Sequence, residues 1–130
     1  MNKQIDTIIQ RAHITLDIEA EAVRNLKKFI NTDFVACVQL LLQSKGRVVI
    51  TGIGKSAIIA QKIVATMNST GTPAIFMHAA DAIHGDLGTI QQDDQVICIS
   101  KSGNTPEIKV LVPLLKRGGN KLIALVGNTD

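Results

Sequence analysis

The sequence predicts an α/β protein, a three-layer parallel sheet with helices, preceded by two N-terminal helices. From residue 47 onward, apolar strand patterns alternate with helical patterns, as in parallel βαβ units. Two of the predicted strands, 47–51 and 95–100, end in polar, glycine-containing turns that lead directly into helices. Hydrophobic residues make up 45% of the chain and aromatic residues only 2%, so we expect an aliphatic core of the kind found in buried parallel strands.

The N-terminal region predicts two helices. Apolar residues recur at helical spacing over residues 4–30, and residues 31–33 then end this helix and cap a second one. The first helix could cover the protein's own sheet or pack against another subunit. We expect it to support a homo-oligomer.

The remainder of the chain predicts four strands connected by helices and one loop. The expected order is strand 47–51, helix 55–68, strand 74–78, loop 79–90, strand 95–100, helix 106–117 and strand 121–126. Strands that alternate with helices in this way form parallel pairs with right-handed crossovers.

The turn after strand 95–100 contains the residue types that bind phosphate. Ser100, Ser102 and Thr105 each offer a hydroxyl, and Gly103 allows the backbone to approach a ligand. A helix begins directly afterwards, and helix N-termini attract anions through unpaired N–H groups and a partial positive charge. Ser, Thr and Gly also form ordinary turns and caps, so this segment alone fits either interpretation.

The turn after strand 47–51 has the same arrangement. Gly52 and Gly54 follow the strand, and Lys55 and Ser56 begin the next helix. Ligands of open α/β sheets bind at the carboxyl ends of the strands, where two such turns would meet. The two turns together therefore predict an anion-binding site that includes Gly54 and Ser56.

The turn after strand 47–51 partly resembles two nucleotide-binding motifs, the P-loop and the dinucleotide-binding pattern. A P-loop requires glycine at position 49, which is Val49, so ATP or GTP hydrolysis by this motif is excluded. Gly52, Gly54 and Ala57 fit the dinucleotide pattern G-x-G-x-x-A, but the expected acidic residue is missing from the end of the second strand. Dinucleotide binding therefore ranks behind a sugar-phosphate site.

Four segments, in order, resemble motifs of the sugar isomerase (SIS) domain, and most closely those of arabinose-5-phosphate isomerases. They are Thr51-Gly-Ile-Gly-Lys-Ser56, Ser69-Thr-Gly-Thr-Pro73, His84-Gly-Asp-Leu-Gly88 and Ser100-Lys-Ser-Gly-Asn-Thr105. The resemblance extends over nearly the whole chain and implies a flavodoxin-like sheet. It also implies interconversion of D-ribulose 5-phosphate and D-arabinose 5-phosphate, which supplies 3-deoxy-D-manno-octulosonate (Kdo), and a dimer or tetramer.

The resemblance marks Lys55, His84 and Glu107 as catalytic residues. Aldose–ketose isomerisation needs a base, electrophilic assistance at the carbonyl oxygen and a grip on the phosphate. The simpler alternatives are a solvated Lys55, a structural His84 and a Glu107 that only interacts with the helix dipole. The predicted phosphate ligands are Gly54, Ser56, Ser100, Ser102, Gly103 and Thr105. A proton moves and no hydride leaves the substrate, so we expect no cofactor and no metal.

The chain departs from the family pattern at three positions and at its end. Lys101, Ala57 and Ala79 stand where relatives usually carry Asn, Gly and Pro. We expect a single SIS domain over residues 1–130, with leading helices 1–46 and an α/β core 47–130 that is incomplete at its C-terminus. The family's remaining glutamate and histidine would lie beyond residue 130, so we expect this chain alone to be a poor isomerase.

The expected partner is a small-molecule sugar phosphate. The net charge of +3 suits anions, but the basic residues are dispersed and only three Phe are present, so we do not expect nucleic acid as a partner. No apolar run approaches the roughly 20 residues that span a bilayer, and Cys37 and Cys98 have no metal spacing. We therefore expect a cytoplasmic protein without membrane contact.

The alternative function is a non-catalytic sugar-phosphate-binding SIS module of a regulator, which would not need Lys55, His84 and Glu107 together.

Overall fold

The computed structural model describes residues 2–129, which form two compact units divided between Val38 and Gln39. In the first unit, α1 covers Asn2–Asn25 and continues as a 3-10 turn over Leu26–Phe29. The second helix, α2, covers Thr32–Leu42 and crosses the division. The sequence predicted one helix over 4–30, and the structure differs only in the tighter winding of its last turn.

The start of α2 is capped as predicted. The side-chain oxygen of Asn31 accepts hydrogen bonds from the backbone N–H groups of Asp33 and Phe34, at 3.0 and 3.1 Å. These bonds satisfy two amides that have no partner inside the helix.

All four strands of the second unit are parallel. They are β1 (Val48–Gly52), β2 (Ala74–His78), β3 (Gln95–Ser100) and β4 (Lys121–Val126), in the spatial order β2-β1-β3-β4. The predicted fold class is confirmed, and each predicted strand lies within one residue of its observed bounds. β1 and β3 are the central strands of the described sheet.

Helices cover both faces of this sheet. On one face, α4 (Ala79–Ile83) and α5 (Pro106–Arg117) pack with sheet residues in a buried cluster formed by Val49, Met77, Ala79, Ala82, Val96, Cys98, Ile108, Leu111 and Leu115. On the other face, α3 (Lys55–Ser69) contributes to a cluster formed by Val48, Ile50, Ala60, Ala74 and Ile99, against which Leu41 also packs. Both clusters are almost purely aliphatic, as the composition predicts.

The prediction of a loop over 79–90 was wrong, because this segment contains α4 and a 3-10 turn over Asp86–Thr89. The ring nitrogen Nδ1 of His78 accepts a hydrogen bond from the backbone N–H of Ala80 at 3.3 Å and so caps α4. Ala79 and Ala82 are fully buried. Their small side chains let a short helix lie directly on the sheet, a packing role that its polar neighbours conceal in the sequence.

Two further observations concern the membrane and the thiols. Among the described residues, no helix is both long and apolar enough to cross a bilayer. Cys37 and Cys98 are both free, and burial raises the pKa of the Cys98 thiol.

Candidate functional site

The two polar turns lie side by side at one edge of the sheet. β1 pairs directly with β3, with Thr51 opposite Cys98, so the turns that follow these strands are neighbours. This is the arrangement that the sequence predicts, and it places the N-termini of α3 and α5 at the same edge.

The turn after β3 is organised by its own hydroxyl groups. The Ser100 hydroxyl accepts a hydrogen bond from the N–H of Gly103 at 3.1 Å, and the Ser102 hydroxyl accepts one from the N–H of Asn104 at 3.2 Å. Gly103 has a φ of 67°, and Gly54 in the other turn has a φ of 58°. Residues with a Cβ atom rarely adopt this backbone conformation. The two glycines therefore shape the turns.

A cavity of about 550 Å³ opens between these turns. It is lined by Ile53, Ser56, Ser100, Lys101, Ser102, Thr105, Gly127 and Asn128. Four predicted phosphate ligands, Ser56, Ser100, Ser102 and Thr105, are thus brought together around one space. Their hydroxyls can surround an anion, while the N-terminus of α5 contributes partial positive charge.

Thr105 occupies the N-cap position of α5 without performing the usual capping role. Its side chain makes no cap hydrogen bond. Its hydroxyl oxygen is buried and has no hydrogen-bond partner within residues 2–129. A buried hydroxyl without a partner is costly, and Thr105, unlike Thr51 and Gln95 with the same property, lines the cavity and is therefore a candidate ligand.

Lys55 lines an adjoining cavity of about 330 Å³ that shares Ser56, Ser100, Lys101 and Gly127 with the first. The remaining lining residues of this second cavity are apolar: Ile59, Ile99, Leu125 and Val126. Lys55 therefore lines a cavity that adjoins the hydroxyl-lined one.

Glu107 and His84 are not among the residues that line either cavity. Glu107 is in the first turn of α5, two residues beyond Thr105, as predicted. His84 follows α4 directly, and its backbone N–H donates to the carbonyl of Asp81 at 3.0 Å. Because α4 and α5 pack in the same cluster, both residues lie on one face of the sheet. Their catalytic roles stay predictions.

The sequence-based site omitted the turn after β4. Gly127 donates its backbone N–H to the carbonyl of Lys101 at 3.0 Å, and a Cβ at Gly127 would lie 2.8 Å from that oxygen. Only glycine fits this approach. A third glycine turn, following the strand predicted at 121–126, is the signal that could have placed Gly127 and Asn128 at this edge.

The described residues include no group of three or more His, Cys, Asp or Glu side chains arranged to hold a metal ion. The polar residues that line the cavities are serines, a threonine, two lysines and Asn128, whose hydroxyl, ammonium and amide donors suit an anion.

The sequence model of the SIS domain matches residues 40–130. The chain belongs to the SIS domain family. The resemblance drawn from the motifs is therefore confirmed, and it extends to curated relatives. Arabinose 5-phosphate isomerase KdsD of Pseudomonas aeruginosa is 48% identical over 130 residues, which are 100% of this chain and 40% of that protein. Arabinose 5-phosphate isomerase KpsF of Escherichia coli O6:H1 is 43% identical over 122 residues, 93% of this chain and 37% of that protein.

Solved structures share the fold of this SIS domain. The structure of the c3406 protein of E. coli CFT073, in complex with arabinose 5-phosphate, matches with a TM-score of 0.85 and 42% identity, over 92% of this chain and 63% of that one. The chain thus spans less than half the length of the curated relatives and about two thirds of this structural neighbour.

Proposed function

We propose that this SIS domain carries the sugar-phosphate site of an arabinose-5-phosphate isomerase. The protein would interconvert D-ribulose 5-phosphate and D-arabinose 5-phosphate and supply Kdo synthesis. The observation that carries the proposal is the cavity at the strand ends, where three adjacent turns converge and the buried Thr105 hydroxyl lacks a partner within residues 2–129. The identity of 48% to KdsD supports the choice of substrate.

The phosphate is proposed to lie in the hydroxyl-lined cavity. Ser100, Ser102 and Thr105 would bond its oxygens, with Ser56 approaching from α3. Gly54 and Gly103 shape the turns that present backbone N–H groups. Hydroxyls and amides arranged around a helix N-terminus bind phosphate without needing a metal ion.

The chemistry requires one proton to move between adjacent carbons. A base removes the proton from C2 of the aldose, the electrons of that C–H bond form the C1–C2 double bond, and the carbonyl oxygen at C1 takes up a proton, which gives an enediol. A proton is then delivered to C1 while the hydroxyl at C2 loses its proton and becomes the carbonyl. No electrons leave the substrate, so the proposed reaction uses no cofactor.

Three residues are proposed to serve this reaction. Lys55, in the adjoining cavity, would stabilise the negative charge that develops on the carbonyl oxygen. Glu107 and His84 are proposed to exchange protons with the sugar, Glu107 from the first turn of α5 and His84 from the end of α4.

Assembly and location complete the proposal. We propose a dimer or tetramer, supported by exposed apolar side chains along α1: Ile5, Ile8, Ile9, Leu16, Ile18 and Val23. A patch of this kind commonly marks a contact surface. Light scattering should give a mass of two or four chains. The two free cysteines are consistent with the reducing cytoplasm.

Calorimetry with matched sugars tests the proposal. We expect the chain to bind arabinose 5-phosphate and to leave arabinose unbound at the same concentration, because the phosphate provides most of the contacts. Equal affinity for the two sugars, or no binding of either, would refute the site. A coupled assay for ribulose 5-phosphate, run without added metal, tests the isomerisation.

A further inference from the structure

The loop between β3 and α5 carries a cation that the phosphate-binding pattern does not include. Lys101 is the first residue after β3 and lies between Ser100 and Ser102. It lines both cavities, the hydroxyl-lined one and the one that contains Lys55. Among the described residues that line these cavities, Lys55 and Lys101 are the only charged ones.

The backbone of Lys101 is fixed while its side chain remains accessible. Its carbonyl accepts the hydrogen bond from Gly127 at 3.0 Å, which ties the loop to the end of β4. The residue is exposed, and within residues 2–129 it forms no salt bridge. A solvated ammonium without a competing carboxylate can approach an anion without first breaking an ion pair.

We propose that Lys101 is a cationic ligand of the phosphate and makes the site select dianionic phosphate monoesters. This inference rests on the proposed function. The dianion would lie between the hydroxyls of the first cavity and the ammonium of Lys101 from the β3–α5 loop, while Lys55 in the adjoining cavity serves the carbonyl oxygen. A positive charge attracts a dianion more strongly than a monoanion through simple Coulomb attraction.

The proposed contact of Lys101 with the phosphate also predicts which kinetic constant this residue affects. Phosphate is held throughout the isomerisation, so a phosphate contact is equally strong in ground and transition states. Such uniform binding lowers KM without changing kcat. Because Lys101 is exposed, its contribution should weaken as salt screens the charges.

The test compares Lys101→Met with Lys121→Met by calorimetry on the full chain, using arabinose 5-phosphate at two salt concentrations. Methionine retains an unbranched apolar stem and removes the charge. Lys121 begins β4, at the opposite end of that strand from Gly127 and about 20 Å away at roughly 3.3 Å per residue. The lower salt concentration is about 0.1 M, where the Debye length is about 10 Å, so a charge at this distance is screened and Lys121→Met is a matched charge control.

We expect Lys101→Met to weaken binding about five- to tenfold at low salt, with a smaller loss at high salt. Lys121→Met should bind like the unchanged chain, and Lys101→Arg should restore most of the affinity. In the isomerase assay, Lys101→Met should raise KM and leave kcat unchanged.

Two results would overturn the proposal in different ways. If Ser102→Ala weakens binding while Lys101→Met matches Lys121→Met at every salt concentration, the phosphate site stands and Lys101 is not a ligand. If the unchanged chain binds no sugar phosphate, the proposed function fails and the role of Lys101 fails with it.

Discussion

Arg47 and Asp94 are joined through both the main chain and the side chains. Oδ1 of Asp94 accepts the backbone N–H of Arg47 at 2.8 Å, and Oδ2 accepts its guanidinium at 2.7 Å. Oδ2 also accepts the backbone N–H of Gln91 at 2.8 Å, and Asp94 is fully buried. Because Arg47 precedes β1 and Asp94 precedes β3, this pair connects the two central strands at the edge opposite the cavities.

Asp94→Asn is expected to lower the free energy of unfolding by about 2–4 kcal/mol, since it leaves the partly exposed Arg47 guanidinium and the backbone amides of Arg47 and Gln91 poorly paired. Urea denaturation followed by circular dichroism measures this loss. Asp93→Asn is the matched control, because the carboxylate of Asp93 is exposed and its loss should change the free energy of unfolding little. If Asp94→Asn lowers the free energy of unfolding no more than Asp93→Asn does, the Arg47–Asp94 pair does not stabilise the connection between β1 and β3.

The stability of the unchanged protein should also depend on pH through Asp94. Burial alone would raise the pKa of this carboxyl, but the hydrogen bond from the Arg47 side chain, the backbone amides of Gln91 and Arg47, and the Arg47 charge together lower it. A lowered folded-state pKa stabilises the fold above the unfolded value of about 3.9, and this contribution is lost as the pH falls through the folded value. Thermal unfolding from pH 7 to pH 2 should therefore show a steeper acid decline in the unchanged protein than in Asp94→Asn. Parallel curves would contradict this.

Thr105→Val should separate ligand binding from stability. The substitution removes a buried hydroxyl that lacks a partner within residues 2–129, so the unliganded fold should gain about 1 kcal/mol. Affinity for arabinose 5-phosphate should fall about tenfold or more, because a bond to a charged oxygen is lost. Thr51→Val is the control: its hydroxyl is equally buried and unpartnered within the same range, but it lines neither cavity. If both variants bind equally well, the Thr105 hydroxyl does not contact the ligand.

Lys55→Ala and Glu107→Gln should each reduce turnover by about a hundredfold or more, the usual effect of removing a positioned charge or acid–base group. Isomerase assays should compare variant and unchanged protein of the same length. Lys109→Ala, an exposed lysine on α5, serves as the control for charge loss. Full activity in Glu107→Gln would reduce this residue to a partner of the helix dipole.

Most of the sheet could be predicted because its signals are local. Aliphatic strands, glycine turns and helix caps act over a few residues, and they located the strands and the helices α3 and α5. The helix α4 was missed because its burial depends on the contact of Ala79 and Ala82 with the sheet, which no local pattern records.

The candidate site could be predicted only as far as its turns. The hydroxyls after β3 and the Lys55 turn after β1 follow from the sequence, because parallel strands bring such turns to one edge. The glycine turn after the strand predicted at 121–126 pointed to Gly127, but its contact with Lys101 depends on β4 pairing beside β3, which no local pattern records. In the sequence, Lys101 was noted only as a departure from the family pattern. The structure shows that it lines both cavities.

The spatial order of the strands has a consequence for folding. The turns that enclose the cavity follow β1, β3 and β4, which are neighbours in space, yet α3, β2 and α4 separate β1 from β3 along the chain. Pairing over so long a loop is intrinsically slow, because the entropy of closure is lost before contacts form. A sugar phosphate finds no complete site in chains that have not made this pairing. A ligand that needs this long-range pairing should therefore stabilise the native state, and the stabilisation should grow with the logarithm of the ligand concentration.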